Sequence, residues 1–214
     1  SGDLTPHFSK KKLGDVGFKS RMVEFLKASD ITFDDISTRE GKADQELIEL
    51  ISKHFPEADR EDLIRAESTE VVWARTAQNG EKVWFNLTDE SRGTQKLFGY
   101  AAPLIDTLSS GYVLVVDELN NSLHPLLAKS ILRMFNDPKQ NRSNAQLIVV
   151  THATSMLDLD FLRRDQIWFA EKHEGATQLY SLADFSPRKD ISLAKGYLQG
   201  RFGAIPFLSG AALE

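Results

Sequence analysis

The sequence predicts an α/β fold with a mostly parallel sheet, a β-hairpin and a helical lobe, on three observations. Two apolar, β-branched runs, residues 112–116 and 145–150, each stop abruptly at polar pairs, Asp117-Glu118 and Thr151-His152. Such runs read as buried parallel strands, which deliver functional groups at their carboxyl ends. A helical stretch from Ser91 to about Ser109 precedes the first run. Two aromatic-rich runs around Asn79-Gly80 in residues 70–87 form the third signal, a hairpin with a tight primed turn.

In chain order, residues 1–66 are charge-dense, with helical periodicity over 19–28 and 42–55, and are expected to form a helical lobe or insertion. Lys10-Lys11-Lys12 reads first as a solvated face, with an acidic partner or DNA as the alternative. Residues 67–214 are expected to form the core. Trp73 and Trp84 alternate with polar residues in the hairpin and are expected to pack across its strands. The hairpin leads directly into Ser91 and would fix that segment against the helix behind it. After His152, residues 166–170 read as another buried strand and 178–182 as its short partner. Arg163-Arg164 reads as an exposed helix end or a clamp on an acidic neighbour. Residues 190–207 read as a helix followed by an extended tail, broken at Gly203 and Pro206.

Composition narrows the class. The chain has 214 residues, net charge −5 and no cysteine. Thiolate metal sites and disulfides are excluded, and a cytoplasmic location is the default expectation. No apolar run approaches the roughly 20 residues that span a bilayer. The negative charge argues against wrapping nucleic acid through a general field, although local patches remain possible.

The candidate chemistry lies at the ends of the two apolar runs. Adjacent carboxylates there suit two jobs in nucleotide hydrolysis, Asp117 on the magnesium side and Glu118 polarising the attacking water, with a strand end capped by solvated acids as the alternative. Ser91-Arg92-Gly93-Thr94 opens a helix, where outward backbone N–H groups and a glycine favour an anion, with plain N-capping as the alternative. His152 has a ring nitrogen able to donate to a phosphate, with a strand-end histidine held by a structural partner as the alternative. In Ser122-Leu123-His124-Pro125, Ser122 is expected to cap the following helix, with the proline in its first turn.

The order of these elements resembles the ABC-type ATPase fold family, in which a signature loop, Walker B strand, D-loop and switch histidine follow one another. Asp117-Glu-Leu-Asn-Asn-Ser-Leu-His-Pro125, Thr151-His152, Leu162-Arg-Arg-Asp-Gln-Ile-Trp-Phe169 and Lys195-Gly-Tyr-Leu-Gln-Gly-Arg-Phe-Gly-Ala-Ile-Pro206 narrow the likeness. They look like the AAA-type ATPases linked to abortive phage infection, the RloA-like proteins, over roughly residues 70 to 208. The resemblance implies a partial P-loop NTPase fold, ATP and Mg2+ as cofactors, Asp117 on the metal, and Glu118 and His152 as catalytic base and switch. Ser91 and Gly93, with Thr94 and Ser122, would then contact nucleotide. It also implies a homodimer with ATP sandwiched between subunits, each site completed in trans, and a co-encoded effector protein. Where Asn120 stands, relatives often carry Asp.

No Gly-x-x-x-x-Gly-Lys-Ser/Thr phosphate loop occurs in these residues. Gly14-Asp-Val-Gly17-Phe-Lys19-Ser20 has the wrong glycine spacing for a phosphate cradle. The expectation is therefore the carboxyl-terminal portion of a longer ATPase, inactive by itself. The alternatives are a non-catalytic ATPase-like scaffold and a DNA-repair ATPase of the RecF or SMC kind.

Overall fold

The computed structural model describes residues 6–41, 45–185 and 192–205. Chain contacts divide into two units, Ser1–Thr151 and His152–Glu214, and each is described by itself. The first holds helices α1 (His7–Lys12), α2 (Val16–Ala28), α3 (Gln45–His54), α4 (Glu57–Glu67), α5 (Arg92–Ser110) and α6 (Pro125–Asn136). Its strands are β1 (Asp35–Glu40), β2 (Thr69–Thr76), β3 (Lys82–Asn86), β4 (Val113–Asp117) and β5 (Gln146–Val150).

Helix α5 is the centre of this unit. Its apolar residues recur so densely that Leu97, Phe98, Tyr100, Ala101, Ala102 and Leu104 are all buried, packed by α1 and α2. Met22 and Leu26 from α2 and Trp73 from β2 are also fully buried, each side chain contributing about 1.5–3 kcal/mol of burial free energy. Trp73 meets Phe33 edge-on at 4.5 Å and Phe98 at 6.2 Å. Pro103 lies inside α5 and removes the N–H that would otherwise bond the Gly99 carbonyl. The buried hydroxyl of Ser9 on α1 compensates, donating to Gly99 O at 3.2 Å while accepting from Ala102 N–H at 3.3 Å.

The sheet differs from the expected mostly parallel one. Among the described residues only β4 and β5 pair in parallel; β1-β2-β3 is an antiparallel three-stranded sheet. The parallel pair is also half bare: Val115 is 62% and Ile148 52% exposed, whereas Val116 is buried on the other face. Strand β1 falls inside the stretch read as helical, held there by its ladder to β2. Residues 42–44 at the start of the expected second helix lie outside the described residues, and α3 follows them.

The hairpin is present, but its turn is longer than a tight primed one. Ala77 N–H donates to Glu81 O at 2.8 Å and Gly80 N–H to Ala77 O at 2.9 Å, with positive φ at Gly80 and not at Asn79. That is the three-residue loop closed by a left-handed glycine, because a primed two-residue turn needs both central residues left-handed. The two tryptophans do not share a face either. Trp73 pairs with Phe85 and Trp84 with Ala74, so period-2 alternation sends them to opposite sides, and Trp84 is 43% exposed. Of the basic cluster, Lys11 meets Asp62 at 3.6 Å at the surface, while Lys12 meets Asp106 at 3.7 Å and lies over the Phe8 and Phe18 rings.

The second unit contains β6 (Trp168–His173) and β7 (Ala176–Ser181), an antiparallel hairpin, and helix α7 (Leu193–Leu198). The strand expected to be buried is so on one face only, through Phe169. That ring stacks on Tyr197 and on Phe202, both at 5.7 Å, over a core of Ile167, Leu182 and Leu193. Arg163 forks onto Asp165 two residues on, at 2.8 and 3.0 Å. The end of the expected tail, from Pro206, lies outside the described residues.

Candidate functional site

Strands β4 and β5 run in register from Val113 opposite Gln146 to Asp117 opposite Val150. The Glu118 N–H extends the ladder by one step, donating to Val150 O at 2.8 Å. There the chain turns sharply. Glu118 has φ +53° and Ser122 φ +64°, both left-handed, a conformation costing an L-residue roughly 1–2 kcal/mol. The Glu118 carbonyl accepts from Asn121 N–H at 2.9 Å, the Asn120 carbonyl from Leu123 N–H at 3.2 Å, and buried Leu119 and Leu123 anchor the loop. Asp117 is exposed and Glu118 half-buried.

The Thr151 hydroxyl donates to Asn120 Oδ1, tying the residue after β5 to the turn after β4. The amide at position 120 thus accepts a bond within its own chain. His152, the next residue, is exposed and opens the second unit.

Ser91 caps α5, its Oγ accepting from Thr94 N–H at 3.2 Å and lying 3.0 Å from Thr94 Oγ1. The space beside Gly93 that a Cβ would fill is occupied by the Ser122 carbonyl oxygen, 2.7 Å from that position. Glycine is required there by the chain's own turn, and any anion role rests on backbone N–H groups. Helix α6 begins with Pro125 at its first position, as expected, but the cap is His124. The His124 Nδ1 accepts from Leu126 N–H at 3.3 Å, because His124 has the extended backbone a cap needs and left-handed Ser122 does not. The Ser122 hydroxyl instead lies 3.4 Å from Asn121 Oδ1.

Ser91, Gly93, Thr94, Asp117, Glu118 and Ser122 therefore sit on two segments of one unit that touch at Gly93 and Ser122. A contact the sequence reading did not include is that of Lys96, whose ammonium donates to the Glu118 carbonyl at 3.4 Å. Its spacing of three from Gly93, one helical face, was the available signal.

Among the described residues no three His, Asp or Glu side chains converge on a metal. Asp117 and Glu118 fit the acid half of a magnesium–nucleotide site, while the glycine-rich phosphate cradle is not part of this sequence. Among the described residues no helix is long and apolar enough to cross a membrane.

No curated protein matches the chain. Residues 6–158, which include all seven candidate residues, match the family described as "AAA domain, putative AbiEii toxin, Type IV TA system". With well over half of its length matched, the chain belongs to this family of AAA-type domains, whose fold is that of the P-loop NTPases.

Proposed function

We propose that the protein is an ATP-hydrolysing, ATP-dimerising ATPase acting in anti-phage defence of the abortive-infection kind. The observation that carries this reading is the acidic turn: two carboxylates follow the parallel strand pair, and the second keeps its side chain on a left-handed residue where glycine would be easier. Bound magnesium-ATP supplies the scissile phosphoanhydride and the metal charge. Asp117 holds the magnesium side, and Glu118 takes a proton from the attacking water. The capped start of α5 in one subunit, with Ser91, Gly93 and Thr94, faces the nucleotide of the other, and Ser122 lies beside it. His152 keeps the switch role that the resemblance implies. The phosphate loop comes from chain outside these 214 residues, the subunits close as a homodimer, and the toxin–antitoxin family description supports a co-encoded partner. The reading places the protein in the cytoplasm.

The test is magnesium-dependent ATP turnover by the full-length protein and its Glu118→Gln variant, each run on a sizing column with and without ATP. Turnover is expected to fall at least about 100-fold, the contribution of a general base, while an ATP-bound dimer accumulates. Equal turnover in the two proteins removes Glu118 from the base role. The missing phosphate loop favours a second reading, a non-catalytic ATPase-like scaffold, which predicts neither turnover nor an ATP-dependent dimer.

A further inference from the structure

We propose that Lys96 is a positioning residue that ties the start of α5 to the acidic turn, so that occupancy at Ser91–Thr94 is felt at Glu118 of the same chain. Residues 93 and 96 lie on one face of the first turns of α5, and each meets one left-handed residue of the loop. Gly93 seats against the Ser122 carbonyl, and the Lys96 ammonium donates to the Glu118 carbonyl at 3.4 Å. That carbonyl also accepts from Asn121 N–H at 2.9 Å, so its two lone pairs close the turn from inside and brace it from the helix.

The ammonium further lies 5.7 Å from the centre of the buried Tyr100 ring, one helical turn along, which limits where the lysine head can go. Helix α5 runs unbroken from its Ser91 cap through Lys96, so a force that draws the cap toward an anion moves the lysine with it. A displacement of about 1 Å in a catalytic group is enough to change a rate by up to about 100-fold. The coupling step rests on the ATPase reading: with Ser91 facing the partner's nucleotide, Lys96 relays occupancy of one site to the base of the other, making hydrolysis cooperative. The positioning step does not rest on it.

The test uses the full-length protein with Lys96→Met, which keeps the apolar stem, and Lys96→Arg, which keeps the charge. Amide exchange at Asn121 and Leu123 is read first, without ATP. Faster exchange in Lys96→Met than in the parent or Lys96→Arg, at unchanged melting temperature, is expected; equal exchange overturns the proposal. In the turnover arm, Lys96→Met is expected to lower kcat about 10-fold, leave KM unchanged and bring the Hill coefficient toward one, with Lys96→Arg recovering most of the loss. An unchanged kcat and Hill coefficient in an active parent overturns the coupling. Absence of turnover in the parent counts against the ATPase reading, and the exchange result then decides the positioning step.

Discussion

The turn after β4 and the segment after α7 both need left-handed backbone, and they fill it differently. After α7, φ is +74° at Gly200, +70° at Gly203 and +52° at Ala204, and the small residues let aromatic groups close in. A Cβ on Gly203 would come within 2.5 Å of the Tyr180 hydroxyl, and one on Gly196 within 3.1 Å of the Phe202 ring. The Tyr180 hydroxyl donates to Phe202 O at 2.8 Å, and that of Tyr197 to Ala204 O at 2.7 Å. The most distinctive motif of the chain is thus a latch of rings and backbone. After β4 the left-handed positions belong to Glu118 and Ser122, which glycine would fill at lower cost. Small residues stand where aromatic groups pack closest, whereas the turn after β4 keeps a carboxylate and a hydroxyl on left-handed backbone.

Gly203→Ala gives the largest expected effect. It combines a left-handed alanine with a collision at the Tyr180 hydroxyl and should destabilise the second unit by roughly 2–4 kcal/mol in denaturant unfolding. A loss below about 0.5 kcal/mol would mean that the latch is not tight. Ser122→Gly, at the other turn, is expected to stabilise the protein by about 0.5–1 kcal/mol, because it relieves a left-handed residue whose hydroxyl has only a 3.4 Å contact. Destabilisation there would break the contrast between the two segments.

The smallest effect is in pH. Burial first, then the charge and hydrogen bond of Glu171, raise the Tyr180 hydroxyl above its ordinary value of 10.0. The folded state favours the neutral phenol, so this stabilisation is complete below about pH 10 and is lost as pH rises through the folded value. Melting temperatures of the parent and Tyr180→Phe should therefore converge as pH rises above about 10. A constant gap would show that the hydroxyl does not titrate in this range.

The parts legible in the sequence are those set by near neighbours. Ser91 caps α5 through Thr94, Pro125 takes the first position of α6, and the apolar runs end at Asp117 and Val150 as their composition requires. Strand β1 was not legible, because Asp-Ile-Ser-Thr-Arg-Glu buries only Ile36 and leaves almost no period-2 signal. Nor was the side on which Trp84 falls, since register decides that. Ser122 suits a cap by type and His124 does not, and the backbone angles reverse that order.

By itself, then, the sequence determined the AAA-type class, the two acids at a strand end, the helix that Ser91 starts and the aromatic content of the latch. Only the tertiary structure decided that Ser9 satisfies the carbonyl freed by Pro103, that Gly93 accommodates Ser122, and that Lys96 braces Glu118. The division follows sequence separation. Caps and turns form between residues two to four apart and carry their partner in the same short string. The other contacts span 22 to 93 residues and exist only after loop closure and packing have brought their segments together.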